Sequence, residues 1–194
     1  MTNIVCYMGG CCGDLIAAMI DATDVSLTHH TVRLPEERRK LKKPHLFASD
    51  QEKDDYIAHC EKFGSIVSHD ADYHIKNNHK FITVRVTDKE HAAWAAKRFQ
   101  HLHKPHVWEE MSKFSGVSTT EQYAQLILDY SSWIEQHAFA SIDLADIVNG
   151  NLIPALQNLG IAGNDNFYRH WIAVQYFKAA QSTALLKRGF VVGA

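Results

Sequence analysis

Cysteine and proline are both scarce in this chain, four of each among 194 residues, and neither sign of charge prevails, with 20 Lys and Arg against 22 Asp and Glu. Each shortage excludes something. The cysteines are Cys6, Cys11, Cys12 and Cys60, three of them around one turn, which suits free thiols in a reducing compartment and not a disulfide framework. A net charge of −2 supplies no overall basic field, so general nucleic-acid binding is not expected, although local basic sites remain open. Apolar runs stop well short of the ~20 residues that a membrane helix requires. The N-terminus has no basic region followed by a longer apolar core. The expectation is a soluble, cytoplasmic protein with no membrane partner. No repeat, low-complexity tract or linker divides residues 1–194, so a single domain is expected, and 46% hydrophobic residues are enough for a core.

Histidine, by contrast, is abundant, with 13 copies, which raises the question of zinc. The spacing argues against it. Structural zinc usually takes paired ligands such as C-x₂₋₄-C with a second pair downstream. Here Cys11 and Cys12 are adjacent and Cys60 has only His59 beside it. No metal is expected; the cysteines read as small buried hydrophobes or, at Cys11 or Cys12, as a thiolate favoured by a helix N-terminus.

The chain is organised around its opening stretch. Ile4 to Met8 is an apolar, partly β-branched run of strand length, Leu15 to Ile20 is apolar with good helix formers, and Gly9, Gly10 and Gly13 mark the reversal between them. A helix that starts right after a strand presents unpaired N–H groups carrying partial positive charge. Gly9, Gly10, Cys11, Cys12, Gly13 and Asp14 are therefore a candidate cradle for phosphate or sulfate. The alternative is a turn whose glycines serve close packing, with Asp14 stabilising the helix start. Neither a Walker A pattern nor GxGxxG is present, since Asp14 and Leu15 follow Gly13.

Downstream, Arg33, Arg38, Arg39, Lys40, Lys42 and Lys43 form a basic segment that is either a solvated face or a lid bringing cations over an anionic ligand. Ser49 with Glu52 is a capping box for a helix over about 50–63. Ile66-Val67 reads as a short buried strand leading into Ser68-His69-Asp70, where His69 is a candidate general base whose tautomer the Asp70 carboxylate could hold. Lys80 to Val86 is the best strand in the chain, β-branched and aromatic, and it delivers Arg85 to its end. Thr87 with Glu90 predicts the cap of a helix ending near Pro105. Pro105 to Phe114 predicts a short helix, and Ser118 with Glu121 caps the next. Its stripe runs Tyr123, Leu126, Ile127, Tyr130, Trp133, Ile134 and His137, as core or as a partner face. His101, His103 and His106 either line a pocket or decorate a helix end. Asp143 to Val148 reads as a short strand or loop, Asn151 starts a helix to Gly160, and Asn164 or Asp165 caps a final helix to about Lys187, which could pack on the sheet or on a second copy.

This order of elements resembles the sulfotransferase-like branch of P-loop-fold proteins. The resemblance matches Gly9 to Asp14 with the family's phosphosulfate loop, Ser68-His69-Asp70 with its catalytic histidine segment, and Thr83-Val84-Arg85-Val86 with the strand whose arginine holds a 3′-phosphate. Leu144-Ala145-Asp146-Ile147 with Leu156 to Gly160 is similar to its late strand and helix. The resemblance implies a PAPS-like nucleotide as donor and His69 as base. The family's loop lysine is absent here, and its serine falls at Ala93.

The expected fold is a three-layer α/β/α domain with a mainly parallel, P-loop-like sheet of four or five strands and a helix-rich C-terminal half. The expected function is binding of a nucleotide or other small phosphate or sulfate ester, with group transfer to a small acceptor. The alternative is a non-catalytic interaction protein that kept the fold without the donor site.

Overall fold

The computed structural model describes residues 3–21, 26–28, 31–33, 48–61, 64–102 and 105–173. In chain order the elements are β1 (Asn3–Cys6), α1 (Gly13–Asp21), a small antiparallel hairpin of β2 (Ser26–Thr28) and β3 (Thr31–Arg33), α2 (Asp50–Cys60), β4 (Ser65–Ser68) and α3 (Ala71–Lys76). There follow β5 (Phe81–Arg85), α4 (Lys89–Leu102), α5 (Pro105–Ser115), α6 (Thr120–Glu135), β6 (Ala140–Asp143), α7 (Leu144–Val148), α8 (Leu152–Asn158) and a helical run over 165–173.

The main sheet has four strands in the order β4-β1-β5-β6, all parallel. From β1 the chain moves outward to β4, then crosses back over β1 to reach β5. Side chains alternate along the strands and give the sheet two apolar faces. Val5, Val67, Ile82, Val84 and Ile142 point into one apolar cluster with α1, α4, α7 and α8. Ile4, Cys6, Ile66 and Phe81 point into a second cluster with α2 and α3. The result is an α/β/α sandwich whose first strand is central and buried on both sides, as its unbroken apolar run requires.

Several local expectations shift by a residue or change type. The Ser49–Glu52 box caps α2 as read. Asp88, however, not Thr87, accepts the His91 N–H at 2.8 Å at the start of α4, while the Thr87 hydroxyl reaches Asp143. At α6 the box is Thr119 with Gln122, in place of Ser118 with Glu121, and Ser118 donates to the Gln122 amide oxygen from outside. Both shifts have one cause. Neighbouring cap-forming residues compete for the same first-turn N–H groups, and the one in extended geometry three residues before the target amide takes it. Residues 144–148 form α7, capped by Asp143, in place of the late strand that the resemblance implied; the strand is β6, immediately upstream. The basic segment from Leu34 to Lys43 and the final helix beyond residue 173 lie outside the described residues, as do the side chains of His101, His103 and His106. No helix among the described residues is long and apolar enough to cross a membrane.

Candidate active site

All parallel strands deliver their carboxyl ends to one edge of the sheet, and register fixes which residues meet there. Cys6 lies level with Ser68 on one side and Thr83 on the other. The glycine turn, His69 and Val86 therefore follow on that same edge, and Arg85 stands level with Asp143. In open α/β sheets this edge carries the ligand, at the strand where successive connections leave in opposite directions.

At β1 the glycines of the turn are packed closely by the protein's own groups. A Cβ on Gly9 would stand 2.4 Å from the Phe99 ring and 2.9 Å from the Tyr123 hydroxyl, and one on Gly10 only 2.1 Å from the Ala95 carbonyl oxygen. On Gly13 it would fall 1.9 Å from the Tyr7 ring. The glycines thus admit α4, α6 and Tyr7 against the main chain. Within the turn, Cys11 N–H donates to the Met8 carbonyl, and the Tyr123 hydroxyl donates to the Gly9 carbonyl. Asp14 bonds to Tyr7, whose hydroxyl burial holds far above its ordinary range. Cys11 and Cys12 are buried, and burial raises both thiols; at Cys12 the nearby Arg98 opposes this without reversing it. A reactive thiolate at either position is therefore corrected to a buried, protonated thiol. Among the described residues no group of three or more His, Cys, Asp or Glu stands where it could hold a metal.

Arg85 ends β5 at the expected edge, but its guanidinium is held by carboxylates. Nη1 lies 2.7 Å from Glu135 and Nε 3.3 Å from Asp143, and the bond to Glu135 is the main reason that its pKa is raised. It points toward α6 and β6 and does not line the cleft described next.

That cleft opens one strand away, outside the ends of β1 and β4, and has a volume of about 520 Å³. Met8, His69, Asp70 and Tyr73 line it from the sheet edge and α3, Asp50 and Lys53 from α2, Lys76 from the end of α3, and Tyr130 and Trp133 from α6. His69 is exposed at its rim, and its Nδ1 lies 2.8 Å from the Tyr7 carbonyl oxygen. A carbonyl only accepts, so Nδ1 carries the proton and Nε2 is the basic nitrogen of the neutral ring. The Tyr7 ring meets the imidazole edge to face at 4.6 Å and fixes its plane.

Asp70 does not hold the His69 tautomer. Its carboxylate caps α3 by accepting the Tyr73 N–H at 3.0 Å and pairs with Lys53 at 2.7 Å. Both partners of that pair are largely sheltered, and Lys53 also sits over the Tyr73 ring at 5.2 Å. The Tyr73 hydroxyl in turn donates to Asp54. Lys76 is different: its partner Asp50 is 2.7 Å away, but the two side chains are 69% and 53% exposed. Behind the cleft the Tyr130 hydroxyl lies 3.7 Å from the Cys6 sulfur, and burial pushes that thiol up to about 12.

Sequence reasoning singled out His69, which lies at this cleft, and did not mark Lys53, Lys76 or Trp133 for it. For Trp133 a signal was present. The buried stripe of α6 runs Tyr123, Ile127, Ile134, and Trp133 stands beside it, 36% exposed, so its place in the apolar pattern is that of a flank. No protein-family model, curated protein or solved structure matches this chain.

Proposed function

We propose that the protein binds a small phosphate or sulfate ester in the cleft beside His69 and transfers that group to a hydroxyl acceptor, with His69 as general base. The observation that carries this reading is the His69–Tyr7 hydrogen bond, which sets the tautomer with Nε2 as the basic nitrogen beside a polar cleft lined by Lys53 and Lys76 together with Asp50, Asp70 and Asp72. The acceptor's O–H proton passes to Nε2, its oxygen bonds to phosphorus or sulfur, and the bond to the leaving ester oxygen breaks with the electron pair on that oxygen. One general base of this kind contributes about 10² to 10⁴ in rate.

Lys76 supports the same reading. The pair is exposed and screened by water, so a doubly charged ester can take the place of Asp50 on Lys76 at little cost. Lys53, held by Asp70 and Tyr73, keeps the wall of the cleft in place. Binding of ribose 5-phosphate, followed by calorimetry and by the rise in Tm that a ligand of the native state produces, tests this. Lys76→Ala should weaken binding about tenfold and Asp50→Asn should tighten it, since the competing carboxylate is gone. Unchanged affinity in both variants removes Lys76 from the site and the reading with it.

A second reading, a non-catalytic interaction protein, is favoured by one observation: the glycine turn is plugged by Phe99, Tyr123 and Tyr7. Absence of any Tm shift with phosphate and sulfate esters would select it.

A further inference from the structure

Large apolar side chains are normally withdrawn from water, and among the described residues those left exposed are Phe139, at 70%, and Trp133, at 36%. Their settings differ. Phe139 lies against the Lys80 ammonium, 5.3 Å from its ring centre. Trp133 lines the cleft that also carries His69 and Lys76. Its ring is braced along α6 by Tyr130 at 5.7 Å and His137 at 5.5 Å, with interplanar angles of 51° and 58°. Tilted neighbours of this kind hold the indole in one orientation without stacking on it. A fixed aromatic ring that is partly open to a cleft binds planar groups, because it loses little freedom on contact and removes apolar surface from water on both partners.

Resting on the reading above, we infer that the ester carries a planar aromatic ring, which lies on Trp133 while its anionic group meets Lys76. The cleft, at about 520 Å³, falls in the usual range of roughly 300–1,000 Å³ for sites that enclose such a molecule. Lys76 stands at the end of α3 and Trp133 on α6, so one molecule with an anionic end and a ring end addresses both. A nucleobase and a simple aryl group share this chemistry.

Calorimetric titration with adenosine monophosphate, phenyl phosphate and ribose 5-phosphate, on the wild type and on Trp133→Ala and Trp133→Phe, tests the inference. Adenosine monophosphate should bind tighter than ribose 5-phosphate by on the order of tenfold, the usual yield of stacking one base on an aromatic side chain. Trp133→Ala should erase that preference and Trp133→Phe should keep most of it. Phenyl phosphate matching the nucleotide identifies the ring alone as the feature read; phenyl phosphate binding no better than the sugar phosphate identifies a nucleobase. Equal affinity for adenosine monophosphate and ribose 5-phosphate, or a preference that survives Trp133→Ala, overturns the inference and leaves ester binding standing. Binding by none of the three overturns ester binding and the inference together.

Discussion

The main-chain carbonyl of Tyr7 and Nδ1 of His69 stand 2.8 Å apart while the two rings meet edge to face at 4.6 Å. One residue after β1 therefore sets both the tautomer and the plane of the imidazole that follows β4. Because the bond uses the Tyr7 backbone, no side-chain substitution at Tyr7 removes it.

His69→Ala should accordingly act on turnover. With p-nitrophenyl phosphate or sulfate as donor and a simple alcohol as acceptor, kcat should fall about 10²- to 10⁴-fold. Affinity for ribose 5-phosphate should hold within about threefold, because the proposed partner of the anion is Lys76 and not the imidazole. A loss of affinity with turnover intact at saturation would make His69 a binding residue.

Gly13→Ala should destabilise the fold without first affecting ligand. The new Cβ would lie 1.9 to 2.3 Å from three carbons of the Tyr7 ring, which is only 3% exposed and cannot swing away. Overpacking of this sort costs about 1–3 kcal/mol or more, read as a lower urea midpoint with the slope unchanged. A variant as stable as wild type would mean that the turn has room, and that an anion could approach it after all.

His74 predicts an acid-sensitive stability. It is 2% exposed, its Nδ1 faces His79 Nδ1 at 3.2 Å, and its Nε2 has no hydrogen-bond partner among the described residues. Burial, and then the neighbouring His79, lower its pKa from 6.5 to about 4. Between these values the unfolded chain binds a proton that the folded chain does not. Stability from this group is therefore fully present above pH 6.5, declines as pH falls, and levels off below about pH 4. The loss is about 3 kcal/mol at 1.36 kcal/mol per unit. His74→Leu should flatten urea-derived stability across that window; an unchanged slope would assign the acid sensitivity elsewhere.

Arg85→Ala should leave the affinity for ribose 5-phosphate unaltered, since the guanidinium is turned to Glu135 and Asp143. The side chain is 36% exposed, so screening limits the stability loss to about 1 kcal/mol. A tenfold drop in affinity would instead bring Arg85 into the ligand site, as the resemblance to sulfotransferases implied.

What the chain determined by itself was whatever depends on near neighbours. The alternation in Ile4-Val5-Cys6 and Phe81-Ile82-Thr83-Val84 makes two-faced strands, and Ser49 with Glu52 starts a helix, because pleat and cap are decided within a few residues. Even locally, competition between adjacent candidates defeated the reading, at Thr87 against Asp88 and Ser118 against Thr119. Only the tertiary structure decided what packs on the glycine turn. A glycine turn that takes no ring and one that packs against Phe99 have the same local sequence, and the ring arrives from a helix some 90 residues later. The same holds for the cleft. Lys53, His69, Lys76 and Trp133 stand on three helices and a loop far apart in sequence, and only the packing of α2, α3 and α6 at one edge of the sheet brings them together.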